Sequence, residues 1–148
     1  MRKLIRVFVM ILLITSCGTY SEDQKSDFDR KIESHIKKNK LDLKKSNSGL
    51  YFKITKEGEG RFVKFGDKVS FTYKGTFLDG KVFDHREVPV EFDVKALISA
   101  WREIMLELKK GGEAYLISPP QLAYGDHQLD DIPENSILVY EIKLIDVK

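Results

Sequence analysis

The side chains needed for acid–base or nucleophilic chemistry are present in this sequence, but few are spaced to act together. The three histidines, His35, His85 and His127, include no pair at the interval of a helical metal site. Asp126, His127, Asp130 and Asp131 could gather around a cation. Oxygen-rich clusters without a fixed glycine turn bind metal weakly, so a solvated loop is the expected reading, with no metal and no cofactor. Ser99 and Ser118 lie in no Gly-x-Ser-x-Gly elbow, which leaves hydrolase chemistry unsupported. Gly58 and Gly60 follow a strand pattern, but no third glycine and no helix come after them, so a phosphate loop is excluded. What remains is aromatic: Phe71, Phe83, Phe92, Trp101 and Tyr140, interleaved with Tyr73, Asp84 and Tyr124. Taken singly, each aromatic is what a small core needs.

The elements that must position these residues fit one modest domain. The chain has 148 residues, 42% of them hydrophobic, with a formal net charge of +2. Arg2, Lys3 and Arg6 precede the only cysteine, Cys17, and without them the charge falls from +2 to −1. No basic surface for nucleic acid is indicated. Residues 1–16 combine a basic opening with the apolar run Val7 to Ile14, too short for the ~20 residues of a bilayer span, and read as a signal peptide. Ile14-Thr15-Ser16-Cys17 resembles the lipobox of bacterial lipoproteins. That resemblance implies cleavage before Cys17, acylation of the cysteine (palmitate among the acyl groups), and a protein of the cell envelope facing the periplasm or the surface. Residues 17–48 then form a lipidated tether and a short helix. Gly18 to Lys25 is polar and reads as a flexible spacer, and Phe28, Ile32 and Ile36 make a helical stripe with Ser26 as a possible N-cap. The stripe is narrow enough to lie against the main domain or against a second copy, and the oligomeric state stays open.

Residues 49–148 form the main domain. The period switches to two at Leu50, Phe52 and Ile54, and again at Val69, Phe71 and Tyr73. Leu78-Asp79-Gly80-Lys81 has hairpin chemistry. Val94, Leu97, Ile98, Trp101, Met105 and Leu108 share a helical face that ends at Gly111 and Gly112. Ala114 to Ser118 and Ile137 to Val147 read as strands, with a long loop from Pro119 to Pro133. Strands outnumber helices without βαβ alternation, so the pattern predicts an α+β fold, a mostly antiparallel sheet packed on one helix.

Four ordered stretches, VSFTYKGTFLDGKVFDHR, ALISAWREIMLELKKGG, ISPPQLAYGD and IPENSILVYEIKLIDV, together resemble the FKBP-type peptidyl-prolyl cis-trans isomerases over about residues 49 to 148. The resemblance implies a five- to six-stranded antiparallel sheet curled around one short helix, with an apolar pocket between them. It implies isomerisation of X–Pro bonds in exported proteins without covalent chemistry, and proline-containing protein clients as partners, with a macrolide as possible inhibitor. The same cleft without turnover would make a membrane-anchored chaperone or assembly factor. Carried over motif by motif, the catalytic set is Tyr73, Phe83, Asp84, Trp101 and Tyr124. The substrate-binding set is Phe92, Leu97, Ile98, Ile132 and Tyr140. Leu97 stands where the family commonly has valine, Tyr140 where it has phenylalanine, and the Asp126–Asp131 loop is shorter and more acidic than usual.

Overall fold

The computed structural model describes residues 20–148. The leader and the Cys17 lipidation expectation lie outside the described residues. The first element, α1, runs Glu22–Asn39. Its start differs from the expected one because Ser21 and Gln24 form a complete capping box. The Ser21 hydroxyl accepts the Gln24 N–H at 3.3 Å, and the Gln24 side chain accepts the Ser21 N–H at 2.9 Å. Two backbone donors satisfied at Ser21 outweigh a cap at Ser26, so Glu22–Lys25 of the expected spacer is helix, and Tyr20 is buried. Glu22 and Asp23 in the first turn and Lys37 and Lys38 in the last complement the helix dipole.

The strands are β1 (Lys44–Lys45), β2 (Tyr51–Lys56), β3 (Glu59–Phe62), β4 (Lys68–Phe77), β5 (Val82–Asp93), β6 (Lys109–Lys110), β7 (Glu113–Ser118) and β8 (Leu138–Val147), with helix α2 at Ser99–Leu106. Six of them form one sheet in the order β1-β2-β7-β8-β4-β5, and β3 pairs separately with β6. Every pairing is antiparallel. Gly80, at φ +87°, closes the expected β4–β5 hairpin, and Asp79 Oδ1 accepts the Lys81 N–H at 2.9 Å. Pro89 is tolerated inside β5 because that strand is an edge.

The long helix expected from Val94 to Leu108 is broken into a 3-10 turn at Val94–Ala96, an extended step at Leu97–Ile98, and α2. Tertiary pairing competes at both ends. The Val94 N–H is taken by the Asp67 carbonyl at 2.9 Å, the Leu108 carbonyl accepts the Val63 N–H at 3.0 Å, and Lys109–Lys110 pair with β3. Val94, Leu97, Trp101, Met105 and Leu108 are nevertheless all buried.

Strand alternation sorts the core into two clusters. On one face the row Phe52, Leu116, Tyr140, Gly75 crosses β2, β7, β8 and β4 and packs with α2. On the other, the row Tyr51, Ile117, Val139 crosses β2, β7 and β8 and is covered by Phe28 and Ile32 of α1 together with Tyr20. Tyr51, on the polar side of its strand by sequence, is therefore buried. Asp29 and Glu33 fix α1 to this face: Lys45 Nζ meets Asp29 at 2.6 Å, and the Tyr51 hydroxyl donates to both carboxylates at 3.3 and 3.2 Å. Among the described residues no helix is long and apolar enough to cross a membrane.

Candidate active site

The adjacency of β5, β4 and β8 brings together side chains far apart in sequence. Tyr73 lies on β4, Phe83 and Asp84 on β5, and Tyr140 on β8, while Trp101 rises from the first turn of α2. At their centre, Gly75 pairs with Tyr140 on one side and Asp84 on the other. A Cβ there would sit 2.5 Å from the Phe83 ring and 3.1 Å from the Tyr140 ring, so only glycine lets both rings close over the strand. The rings then form a continuous wall. Tyr73 and Trp101 have centroids 4.7 Å apart, Trp101 and Tyr140 5.1 Å, and Tyr140 and Phe83 5.7 Å, the last two edge-to-face.

These rings bound a cavity of about 510 Å³. Seven of the ten pocket residues expected from sequence line it: Tyr73, Phe83, Asp84, Trp101, Tyr124, Ile132 and Tyr140. Tyr124 and Ile132 come from the loop between β7 and β8. The other three stand back from it. Phe92 is 45% exposed near the end of the edge strand, its ring 6.2 Å from Phe71, which in turn is 5.3 Å from Trp101. Leu97 is buried in the core, and Ile98 is half-buried before α2, where its carbonyl accepts the Arg102 N–H at 2.9 Å. The resemblance had assigned all three to substrate binding; the extended step at Leu97–Ile98, ahead of α2, sets two of them beside the floor residue Trp101 rather than on one helical face with it.

The polar atoms of the site are oriented rather than reactive. Tyr73 donates its hydroxyl to Asp84 Oδ2 at 2.5 Å, and Asp84 Oδ1 accepts the His85 N–H at 2.8 Å, with Arg86 Nε at 3.6 Å. Burial and the Asp84 carboxylate push the Tyr73 phenol up to about 12. Burial likewise pushes up Tyr124 and, more strongly, Tyr140, so all three hydroxyls remain protonated donors at neutral pH. Tyr140 Oη and Trp101 Nε1 are buried without a hydrogen-bond partner. The Tyr124 phenol is near enough to raise Tyr140 further, but not in bonding geometry. Two unpaired donors in one aromatic wall cost stability, which marks the wall as more than packing.

Another cavity, of about 580 Å³, shares Tyr73 with this one, but its lining is mostly polar and charged, with Lys74, Glu87, Glu141 and the pair Glu113 and Lys143, 3.7 Å apart, and it includes neither Trp101 nor Tyr140. Among the described residues no three acidic, histidine or cysteine side chains converge as metal ligands, and Asp126, His127, Asp130 and Asp131 are exposed. Gly75 and Arg86 were not singled out by sequence reasoning. A glycine inside a strand of alternating aromatics was the available signal for the first.

The stretch that builds this sheet, tryptophan floor and tyrosine-bound aspartate, residues 59–145, matches the family model FKBP-type peptidyl-prolyl cis-trans isomerase. The chain belongs to that family. It is 41% identical over 109 residues to the FKBP-type peptidyl-prolyl cis-trans isomerase FkpA of Escherichia coli K12, covering 72% of this chain and 40% of that protein. The FkpA of Buchnera aphidicola subsp. Baizongia pistaciae is 39% identical over 139 residues, covering 87% and 55%. The crystal structure of Escherichia coli FkpA superposes with a TM-score of 0.74 at 37% identity, covering 86% of this chain and 62% of that one. The chain thus spans roughly half the length of the curated relatives it matches.

Proposed function

We propose that this protein catalyses cis-trans isomerisation of X–Pro bonds in exported proteins, from a membrane to which a lipid on Cys17 holds it. The observation that carries the reading is the wall of Tyr73, Trp101, Tyr140 and Phe83 around a cavity with room for a prolyl ring. Rotation about X–Pro loses amide resonance, with a barrier of about 18–20 kcal/mol, and no bond is made or broken. Water stabilises the planar, polar amide more than the twisted one, so a dry aromatic pocket favours rotation. Each ~1.4 kcal/mol of preference for the twisted form gives a tenfold gain in rate.

In this reading Trp101, Phe83 and Tyr140 hold the proline ring, and Tyr124 and the Ile98 amide receive substrate carbonyls. Asp84 acts through its field. One of its oxygens is held by Tyr73 and the other by the His85 amide, so it is poorly placed to take a proton. Phe92, whose ring stands 6.2 Å from that of Phe71, belongs to the same proline-packing set.

Cis-to-trans relaxation of a short X–Pro peptide, with the protein beginning at Gly18, tests the reading. Catalysis blocked by a rapamycin-type macrolide locates the reaction in this pocket. Catalysis without inhibition assigns the change in selectivity to the Asp126–Asp131 loop. Absence of catalysis by folded protein replaces the isomerase with a binding module that uses the same cleft.

The anchor is supported by the lipobox-like Ile14-Thr15-Ser16-Cys17. Only Gly18 and Thr19 separate Cys17 from the buried Tyr20, a reach of at most about 11 Å. Such a leash would keep the β7–β8 loop, which Tyr20 touches, close to the membrane surface. The variant Cys17→Ser is expected to leave the membrane fraction; retention there would refute the anchor.

A further inference from the structure

Between Tyr124 and Ile132, which line the pocket, residues 126–131 of the β7–β8 loop are all exposed. At its base the Asn135 N–H donates to the Gly125 carbonyl at 2.8 Å, and the Gly125 N–H to the Pro120 carbonyl at 2.9 Å. Both Gly125, at φ +64°, and Asn135, at φ +59°, are left-handed, so the base is a tight, conformationally restricted closure. Behind the loop lies a second cavity of about 420 Å³, lined by Tyr20, Lys25, Gln121, Tyr124, Gly125 and Asp126 among others. Tyr124 is therefore the partition between this cavity and the isomerase pocket. Open space behind it gives the loop room to fall back.

Tyr20, on the wall of that cavity, ties the loop base to the segment ahead of α1. Tyr20, 6% exposed, donates its hydroxyl to Asn135 Oδ1 at 2.7 Å, and its ring is locked edge-to-face against Phe28 of α1 at 5.3 Å. The hydroxyl also lies 3.9 Å from where a Cβ on Gly125 would stand, beside the residue that follows Tyr124. Burial, with Asp126 and Glu134 nearby, pushes the Tyr20 phenol up, so the donor persists at neutral pH.

We infer that Tyr20 is a positioning residue for Tyr124: the segment ahead of α1 holds the active-site loop in its working position through the Tyr20–Asn135 hydrogen bond. The inference rests on the isomerase reading above. It makes the N-terminal segment part of the catalytic apparatus rather than a passive leash.

Two variants isolate the bond. Tyr20→Phe keeps the ring on Phe28 and loses only the hydroxyl, and Asn135→Gly keeps the left-handed backbone and loses the acceptor. Each is expected to lower kcat/KM toward X–Pro peptides by about fivefold, the worth of one such bond, and the double variant no further. In a Tyr124→Phe background the Tyr20→Phe effect should vanish, whereas a merely structural role would persist there. Amide exchange of Asn135, read by NMR, should quicken in Tyr20→Phe by a similar factor, a measurement independent of catalysis. Unchanged exchange overturns the clamp. Faster exchange with unchanged kcat/KM, or an undiminished effect in Tyr124→Phe, overturns its coupling to Tyr124. If the wild-type protein does not catalyse, the isomerase reading and the coupling fall together, and exchange alone decides whether the clamp exists.

Discussion

The two faces of the sheet carry similar materials to different ends. Each holds a cluster of aliphatic and aromatic side chains under a helix, and each contains buried tyrosines. Beneath α1 the hydroxyls are paired: Tyr20 with Asn135, and Tyr51 with Asp29 and Glu33. Beneath α2, Tyr140 and Trp101 are buried with their polar atoms unpaired, and Tyr73 is bound to a carboxylate that itself lines a cavity. Aromatic content does not separate a pocket from a core. Hydrogen-bond satisfaction does, because a buried donor left without a partner costs about 1–3 kcal/mol that pure packing has no reason to retain.

If the α1 face is packing alone, damage there should lower stability and leave the chemistry intact. Ile32, fully buried under α1, is the sharpest probe. Ile32→Ala is expected to cost about 2–5 kcal/mol in urea unfolding, from lost transfer energy plus the cavity left behind. The kcat/KM per folded molecule should stay near wild type. A comparable fall in kcat/KM would show that the two faces are not independent and that α1 acts on the pocket through more than Tyr20.

The pocket face should respond in the opposite way. Gly75→Ala places a methyl 2.5 Å from the Phe83 ring, and that ring must move or the strand must shift. A misplacement of about 1 Å in a catalytic site costs on the order of 100-fold in rate, while overpacking costs only about 1–3 kcal/mol of stability. Peptide isomerisation and urea unfolding on the same variant check both figures. Activity within threefold of wild type would mean that Phe83 is not held where the chemistry needs it.

How much of this was legible in the sequence depends on whether a feature is local. The β4–β5 hairpin followed from Asp79-Gly80, and the sheet faces followed from alternation at Val69, Phe71, Tyr73 and at Leu138, Tyr140, Ile142, Leu144. The helical stripe from Val94 to Leu108 identified what is buried but not the backbone, because Asp67 and Val63 compete for the hydrogen bonds at its ends. Tyr20 was hidden more completely. A single tyrosine in GTYSEDQK has no periodicity, and its partner Asn135 is 115 residues away. The one local clue was the capping box from Ser21 to Gln24, which fixes where α1 begins and thereby which residue immediately precedes it.

The finest test sets one hydroxyl on each face against the other. Tyr51→Phe removes a donor shared by two carboxylates, at 3.3 and 3.2 Å, on a partly buried face, and should destabilise the protein by about 1 kcal/mol. Tyr140→Phe removes a donor that has no partner and, since Tyr140 is 1% exposed, no water in its place. Its ring contacts with Trp101 and Phe83 are unchanged, so the substitution should stabilise by about 1 kcal/mol. For a chain of this size the two melting temperatures should move apart in opposite directions, each by roughly 3–5 °C. Destabilisation by Tyr140→Phe would mean that its hydroxyl does have a bond in solution, most simply to the Tyr124 phenol beside it. The contrast between the faces would then lie in which groups the hydroxyls serve, not in whether they are satisfied. A stabilised Tyr140→Phe with diminished kcat/KM would instead show that the unpaired hydroxyl is kept for substrate, at the expense of the fold.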